Sequence, residues 1–508
     1  MKIRNTKRVS ATANVSAPVG GLNARDSYAA MDAADAVKMD NWFPLTTSVR
    51  VRAGYSKWAT GLGAAVNTIM AYNAGTTQKL IAVAGTNFYD VTAGGAVGAA
   101  VTTCTNSSWQ HVNFATSGGY YLSCVNGVDA PKAFDGTTWT NPAITGVTAT
   151  TLINVTVHMQ RQWFIQKNTM KVWYLGVNAI AGAATAIDFS SIFKRGGYLM
   201  AMGSWTIDSG AGMDDYAVFV TSEGEVATYR GIDPSSSTTW GLVGTYQIGS
   251  PIGRRCMSQY ASDLLIITQD GLMPMSKALM SSRVSNKVSL TDKIQYIMSL
   301  DISTYSANAG WQCRLFPREN MLLMNVPVGN SNNYQYAMNT ITGAWCKFTG
   351  WDARCWEMYA DDIYYGDGLG NVCKAWDTNA DNGANINTDI IQAFNYLGTQ
   401  NLKHFKLARP IFSTTSHSVG ITLGLNIDYN FNQPLSTATV PSPGTSGIWN
   451  TSKWNGCVWG SSNGNVKSAW NTSGGIGYCA GMHITTASNN ASFTWQSTTH
   501  VFEKGIGF

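Results

Sequence analysis

Residues 80–91 read Leu80-Ile81-Ala82-Val83-Ala84, Gly85-Thr86-Asn87, Phe88-Tyr89-Asp90-Val91: an apolar run, a turn triplet, and a second apolar run. Runs of four to six residues rich in branched and aromatic side chains, separated by Gly and Asn, predict two short strands joined by a tight turn. The design returns at Tyr120–Val125, Asn126-Gly127 and Lys132–Gly136, where Asn-Gly predicts a tight turn because both residues tolerate positive φ. Four more pairs follow: Tyr216–Thr221 with Glu225–Arg230, Leu264–Thr268 with Leu272–Ser276, Met321–Val326 with Tyr334–Met338, and Ile363–Tyr365 with Asn371–Trp376. Six hairpins of one kind point to a repeated β unit.

Several second strands end alike, on an aromatic residue, then Asp or Asn, then a Gly/Thr turn that sometimes closes on Trp. Phe134-Asp135-Gly136-Thr137-Thr138-Trp139 and Tyr336 to Trp345 are the fullest examples. Asp90 and Asp135 lie 45 residues apart, the length of one four-stranded propeller blade of ~40–50 residues. One blade cannot bury both of its faces, so blades stack radially with aromatics between them. The expected fold is all-β: a β-propeller of about six blades with an N-terminal arm and a C-terminal β-rich domain. Two β-sandwiches are the competing reading.

Three regions differ in texture. Residues 1–60 form a basic arm and lead-in segment, with a short helix expected between Ser27 and Met39. Residues 61–410 form the propeller, and residues 411–508 a domain rich in Trp, Asn, Ser and Gly.

Composition narrows the function. Of 508 residues, 44% are hydrophobic but only 12% charged, about half the ~25% usual in soluble domains. That balance supports a large core and excludes global disorder. The longest apolar runs fall far short of the ~18 residues of a membrane span, and no apolar stretch follows Lys2, Arg4, Lys7 and Arg8 to make a secretory signal. A net charge of +5 is too small for a dedicated nucleic-acid binder. The nine cysteines are widely spaced without a C-x-x-C pair, so reduced, buried thiols are expected rather than a metal or redox site.

No constellation declares a catalyst. The Asp135 segment resembles part of an Asp box, but Asp accepting backbone bonds with Trp packed behind it is the simpler reading. The close acidic pairs Asp214-Asp215 and Asp361-Asp362 both precede strands and read as solvated loops. Neither an enzyme, a cofactor nor a metal is expected. Four arginines remain as candidate interface or channel residues: Arg50 and Arg52, on alternate positions of one strand, and Arg254 and Arg255, after a turn-rich approach. Trp42 and Phe43, together with the regularly spaced Trp449, Trp454, Trp459 and Trp470, are candidates for subunit contact or for stacking on sugars.

Read in order, several stretches resemble the nozzle proteins (tail tubular protein B-like, packaged-DNA stabilisation proteins) of short-tailed bacteriophages. They are Gly20–Ser27, Asn41-Trp42-Phe43-Pro44, Val49–Tyr55, Val218–Val226, Asp233-Pro234, Gly253-Arg254-Arg255-Cys256, Asp270-Gly271-Leu272 and the late Trp-Asn repeats. The resemblance implies a structural virion protein, built in the host cytoplasm and resident in the tail. It would form a ring, as a homohexamer, below a head–tail adaptor. Tail fibres or spikes would dock outside, and genomic DNA would pass through the lumen. Residues 1–20 would reach a neighbouring subunit or the adaptor. The alternative is a carbohydrate-binding, host-attachment propeller of a virion. Scarce charge fits the first expectation, because a free propeller of this size needs a more charged surface to stay soluble.

Overall fold

The computed structural model describes residues 10–208, 213–278, 289–414, 419–432, 435–440, 465–468 and 471–505. Its strands fall into two compact units. One comprises residues 57–335 and 351–375. The other comprises residues 1–56, 336–350 and 376–508.

In the first unit the chain repeatedly starts a sheet at its centre and adds antiparallel strands outward. The first sheet runs Val66–Ala74, Thr77–Ala84, Asn87–Asp90, Thr102–Thr103. The second runs Gln110–Thr116, Gly119–Val125, Lys132–Phe134, Trp139–Thr140. The third is Leu152–His158, Arg161–Gln166, Lys171–Tyr174, Thr185–Asp188. The fourth is Leu199–Asp208, Met213–Thr221, Glu225–Gly231, Trp240–Gln247. Three described strands, Met257–Tyr260, Asp263–Thr268 and Gly271–Pro274, form the fifth, and Gln312–Phe316 with Met321–Val326 opens the sixth. The seventh runs Ala353–Tyr359, Asp362–Asp367, Val372–Ala375 and then Tyr55–Thr60, delivered from far upstream, with the short Gly95–Ala96 parallel beside it.

The innermost strands touch in sequence order, and Ala353–Tyr359 then packs on Val66–Ala74. Among the described residues the ring therefore closes with seven blades, against an expectation of about six. A strand from the N-terminal side sealing the last blade removes the free edge that an open series would leave.

The missing blade has a local cause. The third blade's first hairpin pairs His158 with Arg161 across Met159-Gln160, whose φ values are +48° and +56°. That is the geometry of a two-residue hairpin turn, normally written with Asn or Gly. Asn126-Gly127, by contrast, is not a two-residue turn: Cys124 pairs with Lys132 across a longer loop, and the Asn126 side chain accepts from the amides of Val128 (3.0 Å) and Asp129 (2.7 Å).

Apolar clusters fill the spaces between blades. Tyr72, Phe88, Trp109 and Phe134 lie between the first and second, and Trp163, Phe219, Tyr229 and Trp240 between the third and fourth. Aromatic side chains bury ~150–250 Å² each, which at ~25 cal/mol per Å² makes these seams a main favourable term of the unit. The turns carry the expected chemistry too. Asp135 accepts from the amides of Thr137 (2.8 Å) and Thr138 (2.7 Å), while Trp139 stacks on Phe134 at 4.9 Å. Asp90, Asp188 and Asp367 make the same side-chain-to-backbone turn.

The second unit holds two sheets, each with alternating buried and exposed positions. Phe493–Lys504 and Lys403–Thr414 are the long central strands of one; Ala480–Ser488, Val419–Ile427 and Ile386–Gln392 are those of the other. The expected boundaries at 60 and 410 differ from this division because the chain's two ends pair with each other. Ser10–Ser16 lies antiparallel on Phe493–Lys504, with Ser10 opposite Glu503 and Ser16 opposite Ser497. Residues 10–16 are therefore a strand of their own unit rather than a reaching arm; residues 1–9 lie outside the described part.

The helix expected from Ser27 to Met39 is not formed. Two separate turns close, from Ala30 to Ser27 and from Asp35 to Asp32, and Asp35–Asp40 is a strand. Asn23 decides the outcome, since its amide donates to Asp26 (2.9 Å) and to Asp35 (2.7 Å) and so ties both ends of the segment into a loop. Among the described residues no helix is long and apolar enough to cross a membrane. The eight described cysteines are unpaired, and seven are buried. Burial pushes the thiols of Cys256, Cys313 and Cys373 up to about 12.

Candidate functional site on the propeller axis

The hairpin Trp42–Pro44 with Val49–Val51 belongs to the second unit, and its candidates turn out to be internal. Trp42 is fully buried against Phe493 and Trp495. Phe43 is fully buried against Phe348 and Trp376. These two are core, not subunit-contact or stacking residues. Arg52 is also core, at 1% exposure. It grips Asp381 through both terminal nitrogens (2.8 and 2.6 Å) and donates to Asn41 Oδ1 (2.9 Å) and the Thr349 carbonyl (2.5 Å). A buried charge survives only when paired and hydrogen-bonded in this way, so Arg52 faces neither a lumen nor a neighbour. Arg50 is half-buried, with its guanidinium 5.2 Å from the Trp376 ring centre. Trp449, Trp454, Trp459 and Trp470 lie outside the described residues.

Arg254 and Arg255 have a different setting. They stand just before the innermost strand of the fifth blade and reach across the ring. Arg255 Nη2 donates to the Asn67 carbonyl (3.1 Å), Thr68 Oγ1 (2.7 Å) and the Trp109 carbonyl (3.0 Å), all at the first and second blades. Arg254 Nη1 donates to the Asn126 carbonyl at 3.0 Å. The pair bridges the axis instead of lining one wall. Burial pulls the pKa of both guanidinium groups below the usual value.

Sequence reading missed the companions, because they are single residues scattered over several blades. Arg314, on the sixth blade's inner strand, donates to Glu357 Oε2 at 2.8 Å, and His111 Nε2 from the second blade lies 3.1 Å from the same oxygen. Burial alone would push the Glu357 carboxyl up, but Arg314 and the His111 hydrogen bond override it and hold the pKa at about 2. Arg354, from the seventh blade, donates through Nε to Asn67 Oδ1 at 3.0 Å. Two adjoining cavities, about 160 and 360 Å³, share Gln110, Arg254 and Arg255 in their walls.

Of the acidic pairs, Asp214-Asp215 lies within the strand Met213–Thr221 rather than in a loop before it, and Asp215 accepts from Thr206 Oγ1 at 2.6 Å. Asp362 is held by Lys374 (2.6 Å) and Arg318, and Asp361 sits in a turn with φ +62°. Among the described residues no three His, Cys, Asp or Glu side chains converge as a metal site would require.

Fold and site together define the class: a seven-bladed β-propeller with an arginine-bridged axis, joined to a second β unit. No family model matches the chain, and no curated protein matches it. Solved structures it is similar to include the β-propeller domain of Cps50 (Swd1) from Myceliophteria thermophila, at 9% identity over 63% of this chain and 98% of that one, with a TM-score of 0.40. The WD40 β-propeller domain of Doa1 matches at 10% identity over 63% and 96%, with a TM-score of 0.39. A computationally designed protein, Ika8, matches at 8% over 63% and 99%, with a TM-score of 0.35. The propeller assignment rests on the closed ring of inner strands, not on these distant likenesses.

Proposed function

We propose that this chain is a structural virion protein, the nozzle subunit of a short-tailed bacteriophage tail, assembling as a ring of about six copies below a head–tail adaptor. The residue stretches that resemble the nozzle family motivate the reading. The observation that carries its assembly part is the outer strand of the fourth blade, Trp240–Gln247. This strand contains no charged residue. Its far end is pinned by Trp240, which stacks on Tyr229 and Trp163 at 5.4 Å each. Beyond that anchor, Leu242 and Val243 are 46% and 52% exposed. Adjacent strand residues point to opposite faces, so both faces of this edge are uncovered. Natural edge strands are normally blunted by charge, proline or a covering element; an uncharged apolar edge suits a surface that a sister subunit covers. In this reading the role is mechanical, with genome retained above the ring and released through it, and no catalytic step is assigned.

Light scattering and electron microscopy of the purified chain, with and without an adaptor ring, test the proposal. The expected result is a closed ring that Leu242→Lys with Val243→Lys reduces to folded monomers. A wild-type chain that stays monomeric at every concentration, and never joins an adaptor ring, overturns it.

A further inference from the structure

The larger axial cavity, about 360 Å³, has Arg254, Arg255 and Arg354 in its wall together with Asn67, Ser108 and Gln110, and no Asp or Glu. The smaller adds Arg314 and His111, again without a carboxylate. Glu357 hydrogen-bonds Arg314 and His111, and its charge also reaches Arg255 from outside the cavity wall. The other guanidinium groups are held at their edges: Arg254 donates through Nη1, Arg255 through Nη2 with Cys355 also beside it, and Arg354 through Nε. A guanidinium carries five N–H donors in a planar fork, so three held forks retain donors toward the cavity they line.

Three cations from the fifth and seventh blades, fixed around one space whose wall holds no Asp or Glu, repel one another and have lost part of their hydration. A bound anion relieves both costs. Planar forks match tetrahedral oxyanions bidentately, and the amides of Asn67 and Gln110 with the hydroxyl of Ser108 supply neutral donors at the same wall. We infer that the axial cavity is a binding site for a small, multiply charged oxyanion of the phosphate type, held by Arg254, Arg255 and Arg354. The volume admits a phosphate group or short polyphosphate and excludes a nucleic-acid duplex, so the source is a free anion or the terminal phosphate of a strand. The site stands independently of the ring-assembly proposal.

Isothermal titration of the full chain with inorganic phosphate, pyrophosphate and a 5′-phosphorylated dinucleotide, at constant ionic strength set by sodium chloride, reads the site. Pyrophosphate is expected to bind more tightly than phosphate. Arg254→Gln and Arg354→Gln should each weaken it about ten- to a hundredfold, the value of one charge-assisted contact. Arg161→Gln, whose partner is Asp233 outside the cavity, should leave it unchanged. Dinucleotide binding of similar strength assigns the source to a strand end; dinucleotide failure beside pyrophosphate binding assigns it to a free anion. Arg255 is spared because it ties blades together. If the two variants lose their native near-ultraviolet circular dichroism, phenylglyoxal labelling of the wild-type chain decides: pyrophosphate protection of Arg254 and Arg354 supports the site. Absence of binding by both inorganic anions, unchanged affinity in folded variants, or labelling without protection each overturns it.

Discussion

Replacing Glu357 by Gln removes the single carboxylate that answers Arg314 and His111 while keeping the side chain's size. The carboxyl is held at about 2 against an ordinary 4.5. At about 1.36 kcal/mol per pH unit, that difference corresponds to about 3 kcal/mol of folding stability. The sign follows from the depressed value: the contribution is fully present above pH 4.5 and drains away as pH falls from there to about 2. The side chain is 10% exposed, so solvent screening takes away little of it. At pH 7 the Gln variant should lose about 2–3 kcal/mol, which for a unit of this size is about 3–6 °C in Tm. Differential scanning calorimetry of both proteins between pH 7 and pH 2.5 reads the gap, which should be widest at neutral pH and nearly closed at the acid end. A gap that stays constant across the range, or is absent at pH 7, refutes the reasoning.

Burial holds the imidazoles of His158 and His500 at about 4 rather than 6.5. The unfolded chain thus takes up protons first, and stability falls as pH drops from 6.5 to about 4; an NMR titration placing either midpoint at 6.5 or above contradicts this. Arg52→Lys keeps a charge but not the planar fork that meets Asp381, Asn41 and Thr349 together. It should cost about 3 kcal/mol, and a calorimetric loss below about 0.5 kcal/mol would show that a point charge suffices there.

The hairpins were legible because their information is local. Each apolar run with its Gly, Asn or Asp turn specifies its own strands, and the Asp135 turn was readable down to its acceptor role. The third blade was not legible, because Met159-Gln160 adopts a hairpin turn without the residues that usually announce one. The last blade also completes itself from residues more than three hundred positions away. Alternation put Arg50 and Arg52 on one strand, whereas the strand ends at Val51 and Arg52 lies just beyond it. Arg52 is swallowed by Asp381, a partner visible only once the fold brings the two together, whereas Arg50 lies over Trp376. The axial cluster was half legible: the doublet Arg254-Arg255 stands out in sequence, while Arg314, Arg354, His111 and Glu357 are unremarkable singletons until a ring gathers them.

The seal of the ring also sets a schedule for biosynthesis. The strand Tyr55–Thr60 leaves the ribosome early, yet its partner Val372–Ala375 is made roughly 300 residues later, about 15–60 s at ~5–20 residues per second. Throughout that interval the nascent strand has only the two-residue stretch Gly95–Ala96 beside it, and its longer edge waits for Val372–Ala375. Lys57 is the one charge in that strand, so the protein's yield in a crowded polysome should depend on temperature and chaperone supply more than its finished stability would suggest.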